Sequence, residues 1–143
     1  MIINKDITMK KMNFEITKDI FAENIQYLKD GHCYNNVFYT LSSLRKRKKS
    51  SIVYGFVVSG IPFETGVAVR HCWSCIDGKI ADTTMFVDGY FNNDFSYISF
   101  VEYNNFDEYL EAIINNNNYP CLTFKDEDKF IDKIQKIGYK YIG

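Results

Sequence analysis

Two histidines and four cysteines are the residues of this 143-residue chain best suited to proton transfer and covalent chemistry. His71 stands in the run Arg70-His71-Cys72-Trp73-Ser74-Cys75-Ile76, followed by Asp77-Gly78 and then Lys79-Ile80-Ala81-Asp82-Thr83-Thr84. An Asp-Gly pair between two β-rich runs marks a two-residue hairpin, because both central residues of a type I′ turn need positive φ. Ile76 then opposes Lys79, Cys75 opposes Ile80, Trp73 opposes Asp82 and His71 opposes Thr84. Period-two alternation puts His71, Trp73, Ile80, Asp82 and Thr84 on one face and Cys72, Ser74, Ala81 and Thr83 on the other. His71 and Asp82 become diagonal neighbours, with Cα atoms roughly 7–8 Å apart, a gap that side chains close. A carboxylate there accepts one imidazole N–H and leaves the other nitrogen as a base. Strand-end capping, with Thr83 and Thr84 as turn formers, is the ordinary alternative role for Asp82, and a hydrogen-bonded strand histidine that for His71.

The matching nucleophile is Cys33. The sequence places it in the first turn of a helix, where unpaired N–H groups and the helix dipole favour a thiolate. Gly31 precedes it and lets backbone and substrate approach closely. On that helix Cys33 shares a face with Val37 and Leu41, so it turns toward the sheet that carries His71. A buried core cysteine is the commoner fate of the residue type, and Cys33 gains weight only jointly with His71 and Asp82.

Other chemistries find less support. Cys72-x-x-Cys75 on an extended strand points its thiols to opposite faces, which does not suit a shared tetrahedral metal, and no second such pair exists. No metal and no cofactor is expected, because neither a phosphate-cradling glycine loop nor a dinucleotide fingerprint occurs. With a formal charge of −1, the chain has no global basic field for nucleic acid. The basic run Arg45-Lys46-Arg47-Lys48-Lys49 reads as a solvated helix end that complements the dipole. No apolar run approaches a membrane span, and the N-terminal residues lack the layout of a signal peptide. The expected setting is therefore cytoplasmic, with no membrane partner and with Cys33, Cys72, Cys75 and Cys121 all as thiols. Cys72, Cys75 and Cys121 are expected on core strands and slow to react.

The elements that must position these groups form one domain over residues 1–143, with 1–11 as a loose lead-in. A short extended piece from Met12 to Ile16 precedes a helix capped by Thr17 and running to about Lys29, and a second helix runs from about Cys33 to Lys46. Strands follow at Ile52–Ser59, Val67–Ile76 and Lys79 to about Phe86. Asp88-Gly89 and Asn92-Asn93-Asp94 mark a turn-rich connection to a strand at Tyr97–Tyr103. Asn104-Asn105 caps a helix from Phe106 to Ile114, Asn115–Asn118 form a loop, Cys121–Phe124 a short strand, and Asp126 to Ile137 a last helix stopped by Gly138. The order predicts an α+β fold in which an antiparallel β-meander packs against N-terminal helices.

Gly31-His32-Cys33, Val53-Tyr54-Gly55-Phe56-Val57, His71-Cys72-Trp73 and Asp77-Gly78-Lys79-Ile80-Ala81-Asp82-Thr83-Thr84 together resemble the transglutaminase-like core of the papain-like cysteine enzymes. That family's pattern runs Gly-x-Cys on a helix, a Gly-Tyr or Gly-Phe strand, His-x-Trp, and a hairpin ending Asp-Pro-Thr. Thr83 stands where the proline would be, and Cys72 where a small residue is usual. The resemblance implies a papain-like fold and a hydrolase or acyltransferase acting on a peptide, isopeptide or amide bond of a protein, peptide or small amide substrate through a thioester. Cys33 would be nucleophile, His71 base and Asp82 the acid that orients the ring. The Cys33 backbone N–H supplies part of an oxyanion hole, with Gln26 and Asn36 as candidates for the rest. Trp73 and Gly31 would line the substrate side. The alternative is a non-catalytic binding or inhibitory module on the same fold, since 17% aromatic residues could equally furnish an interaction surface.

Overall fold

A computed structural model describes residues 1–47, 49–89 and 94–143. Two-residue strands β1 (Ile2–Ile3) and β2 (Met9–Lys10) precede helix α1 (Phe14–Asn24), a 3-10 turn (Ile25–Tyr27), α2 (Cys33–Tyr39) and α3 (Leu41–Arg45). Then come β3 (Ser50–Ser59), β4 (Val67–Ile76), β5 (Lys79–Ala81), α4 (Thr83–Val87), β6 (Ser96–Tyr103), α5 (Phe106–Asn115), α6 (Glu127–Lys136) and β7 (Lys140–Tyr141). The expected turn at Asn92-Asn93 lies outside the described residues. Among the described residues no helix is long and apolar enough to cross a membrane.

The fold is α+β with an open sheet whose order is β1-β6-β3-β4-β5. β2 adds to the β6 edge, and β7 joins β4 as the sheet's parallel pair among otherwise antiparallel ones. Only β3, β4 and β5 follow meander order; β6 returns across β3 instead of pairing with β5. The reason lies in burial. β3 is covered on both faces along nearly its whole length, so both of its edges must be satisfied by strands.

Two cores result. The larger packs Leu41, Leu44, Phe56, Ile98, Phe130 and Ile134 between one sheet face and the helices, whereas Val53, Val57, Trp73, Ile80 and Tyr97 fill the smaller core on the opposite face. The Asp77-Gly78 turn has φ of 51° and 78°, as a type I′ turn requires.

Several boundaries differ from the sequence reading. Asn13, not Thr17, caps α1 by accepting from Ile16 N at 2.9 Å. Thr17 is buried inside the helix, where its hydroxyl donates to the Asn13 carbonyl one turn back and accepts from the distant Asp82 N–H. The residues before it are helical rather than extended, apart from a single bridge between Met12 and Ile80. The long second helix is interrupted at Thr40, the lead-in supplies β1 and β2 against β6, and Cys121–Phe124 is irregular rather than a strand.

Gly55 is fixed by close approach. It pairs with His71 and Ser99, beside a register shift in the β3–β6 ladder. A Cβ there would run into the Ile98 carbonyl oxygen and stand 2.7 Å from Trp73 Cη2. Neither backbone nor a fully buried indole yields easily. Gly55→Ala is expected to cost about 3 kcal/mol or more of stability, read as a lowered urea midpoint at unchanged slope.

Candidate active site

β4 carries His71 on a stretch of edge that, among the described residues, no strand covers. β5 pairs only with Ser74, Cys75 and Ile76, and β7 only with Val67 and Ala68. α2 packs against β4, and its first residue is Cys33. The hairpin has the expected register, but β5 ends at Ala81 and the chain turns into α4, so Asp82 and Thr84 never pair with Trp73 and His71. Asp82 is the N-cap of that helix, with Oδ1 accepting from Met85 N at 3.2 Å. Capping and ring orientation, two alternatives in the sequence, are both performed by this one carboxylate.

Asp82 Oδ2 lies 2.7 Å from His71 Nε2. The same oxygen accepts from the Tyr97 hydroxyl at 2.7 Å, and the Asp82 backbone N–H donates to Thr17 Oγ1 at 3.2 Å. The carboxylate is 1% exposed and His71 7%. The imidazole stacks on Trp73 with centroids 6.1 Å apart and 25° between planes, and Tyr97 meets Trp73 edge-on at 5.1 Å. Trp73 is fully buried, so it packs against the imidazole and has no surface of its own to offer a substrate, contrary to expectation. Burial by itself lowers the His71 pKa, but the Asp82 charge and hydrogen bond, joined by hydrogen bonding and charge contact with Cys33, outweigh it and raise it to about 10. The ring is therefore protonated at neutral pH. Burial and the Asp82 charge push the Tyr97 hydroxyl far up, so it remains a donor.

Cys33 is 8% exposed. With Nε2 of His71 engaged by Asp82, Nδ1 is the nitrogen left to the thiol. As the first helical residue, Cys33 has a backbone N–H with no acceptor inside its helix, which keeps it a candidate oxyanion donor. Gly31, exposed with φ of 66°, donates its N–H to Asp88 Oδ1 at 3.2 Å. Asn36 is committed elsewhere: Oδ1 accepts from Lys29 N at 3.0 Å, and Nδ2 donates to Lys29 O and Thr84 Oγ1, both at 2.8 Å. Those bonds tie the loop before Cys33 to α4, and they remove the Asn36 amide as an oxyanion donor. Gln26 is exposed on the 3-10 turn.

Sequence reasoning missed four anchoring residues: Thr17, Tyr97, Tyr34 and Arg70. Arg70 Nη1 donates to the Tyr34 hydroxyl at 2.7 Å, Nε and Nη2 meet Glu127 at 3.0 and 2.9 Å, and Nη2 also reaches the Leu122 carbonyl. The residue after Cys33 is thereby fastened to the residue before His71. An arginine inside the apolar run Val67-Ala68-Val69-Arg70 was the available signal, since a buried cation demands a partner. Tyr97 gave none, because the pairing of β6 with β3 is not local.

Cys72 and Cys75 face opposite sides of the sheet, as their spacing requires, and burial pushes the Cys72 thiol well up and that of Cys75 to about 11. Cys121 departs from expectation: it is exposed, off any strand, with Sγ 3.7 Å from Arg70 Nη1. All four are free thiols, and among the described residues no cluster of three or more His, Cys, Asp or Glu side chains is placed to hold a metal ion.

The raised His71 pKa has a definite consequence for stability. The ring titrates near 6.5 when unfolded and at about 10 when folded, so its stabilising share is complete below about pH 6.5 and vanishes as pH rises through about 10. Comparing urea midpoints of the wild type with His71→Asn isolates this from other alkaline titrations. The gap between them is expected to narrow steadily over that window; a constant gap would show that the ring does not ionise there.

Compared with family models, curated proteins and solved structures, the chain matches none.

Proposed function

We propose that the protein is a cysteine-dependent hydrolase or acyltransferase of papain-like or transglutaminase-like type. The observation that carries this reading is the contact of one buried imidazole with Asp82 at 2.7 Å on Nε2, while Cys33 acts on the same ring. A protonated ring supplies the cation that a thiolate nucleophile needs. In the proposed reaction the Cys33 thiolate adds to the carbonyl carbon of a peptide, isopeptide or small amide, and the carbonyl oxygen takes the negative charge beside the Cys33 N–H. His71 gives its proton to the leaving nitrogen as the C–N bond breaks and a thioester remains. Water or an amine then adds to the thioester, losing its proton to His71, and the thiolate departs. Asp82 keeps the ring oriented and stabilises its cationic form, and Tyr97 fixes Asp82.

A second reading, the binding or inhibitory module, draws on access. Cys33 and His71 are nearly buried, and a cavity of about 550 Å³ is lined instead by Lys10, Arg47, Lys49, Ser51, Cys75 and Glu102 among others, none of them in the Cys33–His71–Asp82 cluster.

Iodoacetamide kinetics, followed by peptide mapping in a Cys121→Ser background, separate the two. Under the enzyme reading Cys33 alkylates rapidly even at about pH 5.5, where a thiol with pKa near 8.5 is almost inert. His71→Ala restores the steep alkaline dependence of an ordinary thiol and cuts turnover of an activated acyl substrate by roughly 10²–10⁴-fold. Tyr97→Phe keeps the alkylation but shifts its pH limits, because the Asp82 charge loses a donor. Alkylation confined to alkaline pH and indifferent to His71→Ala would leave the binding module.

A further inference from the structure

Beside the outer edge of β6 lies a recess of about 360 Å³ walled by Ile3, Phe100 and Phe130. Its size is at the low end of the roughly 300–1,000 Å³ typical of small-molecule sites. Phe100 is the residue of β6 skipped where the β3–β6 register shifts, and its ring packs on Phe130 with centroids 4.6 Å apart. The segment after β1 closes one side: Asn4 N donates to Phe100 O and Lys133 Nζ to Lys5 O, each at 2.8 Å. Around this apolar floor stand Lys5, Lys125, Lys129 and Lys133, all exposed, against the single carboxylate of Asp126, which lies 3.5 Å from Lys129 Nζ.

An apolar floor beneath an excess of cations is complementary to one kind of ligand. We propose that this recess binds a small amphipathic carboxylate, with its aliphatic chain against Ile3 and the carbon stems of the lysines, over the packed rings of Phe100 and Phe130, and its anionic head among the lysine ammonium groups. A bilayer surface suits it less well, because Phe100 and Phe130 are each 3% exposed and only Ile3, at 50%, presents much apolar area outward. The exposed apolar side chains beside it, Met1, Ile2 and Ile3, are confined to the first three residues of the chain, a small area for insertion into a bilayer. The site shares no residue with Cys33, His71 or Asp82, so it stands or falls apart from the catalytic proposal.

Calorimetric titration of the full chain with hexanoate, octanoate and decanoate tests it. Saturable binding is expected, tightening up to about fourfold for each buried methylene added and weakening with salt. Octylamine, with the same chain and the opposite charge, is expected not to bind. Lys125→Glu with Lys129→Glu alters only exposed side chains and should weaken octanoate tenfold or more at an unchanged melting temperature. Absence of saturable binding, equal binding of octylamine, or indifference to the double substitution would overturn the proposal. So would binding to anionic phosphatidylglycerol vesicles without binding to free carboxylates, since that would make this face a membrane surface.

Discussion

A single buried carboxylate holds this structure to its chemistry. Asp82 is nearly sealed from water, and an ionised group in that position is tolerated only when its oxygens are fully engaged. Here Oδ1 takes a helix-capping N–H, and Oδ2 takes both an imidazole and a phenol. The partners come from α4, β4 and β6, and Thr17 of α1 fixes the backbone. Elements as far apart in sequence as α1 and β6 thus converge on it because one charge has to be satisfied. The same demand that organises this corner of the fold orients the imidazole and keeps it cationic.

A second clamp sets the distance between Cys33 and His71. Arg70 and His71 point to opposite faces of β4, so the strand presents its base on one side while its guanidinium grips Tyr34, Glu127 and Leu122 on the other. The guanidinium also lies over the Tyr34 ring at 5.5 Å, and Tyr34 stacks on Tyr54 within the larger core. The spacing between Cys33 and His71 is thereby enforced from behind. Removing one side of such a buried ionic contact typically costs about 3–5 kcal/mol, because the remaining charge is left uncompensated.

What was legible in the sequence was local. The Asp77-Gly78 hairpin, the spans of β3, β4 and β6, the Asn105 cap of α5 and the stripe of α6 all depend on neighbours within a few residues. The contact between His71 and Asp82 was legible for the same reason, although the chain achieves it by turning into a helix rather than extending the strand. Asn13 and Thr17 both have capping side chains one turn apart, and only the tertiary bond from Asp82 explains why Thr17 is drawn inside. Asn36 read as a free donor because its partners, Lys29 and Thr84, are brought together only by α4. The short strands β1, β2 and β7 carry too few residues for any periodicity, and their existence follows from the edges they cover.

The uncovered middle of β4 bears on how a polypeptide could reach Cys33. β5 ends its pairing at Ser74 and β7 at Ala68, so the intervening edge is bracketed by strand on both sides. An incoming chain meets an obstacle to extending this sheet by β-augmentation there, because the gap is closed by a strand at each end and α2 packs against β4. Recognition of a protein substrate would then rest on a side chain or a chain terminus offered end-on, not on a run of main-chain hydrogen bonds.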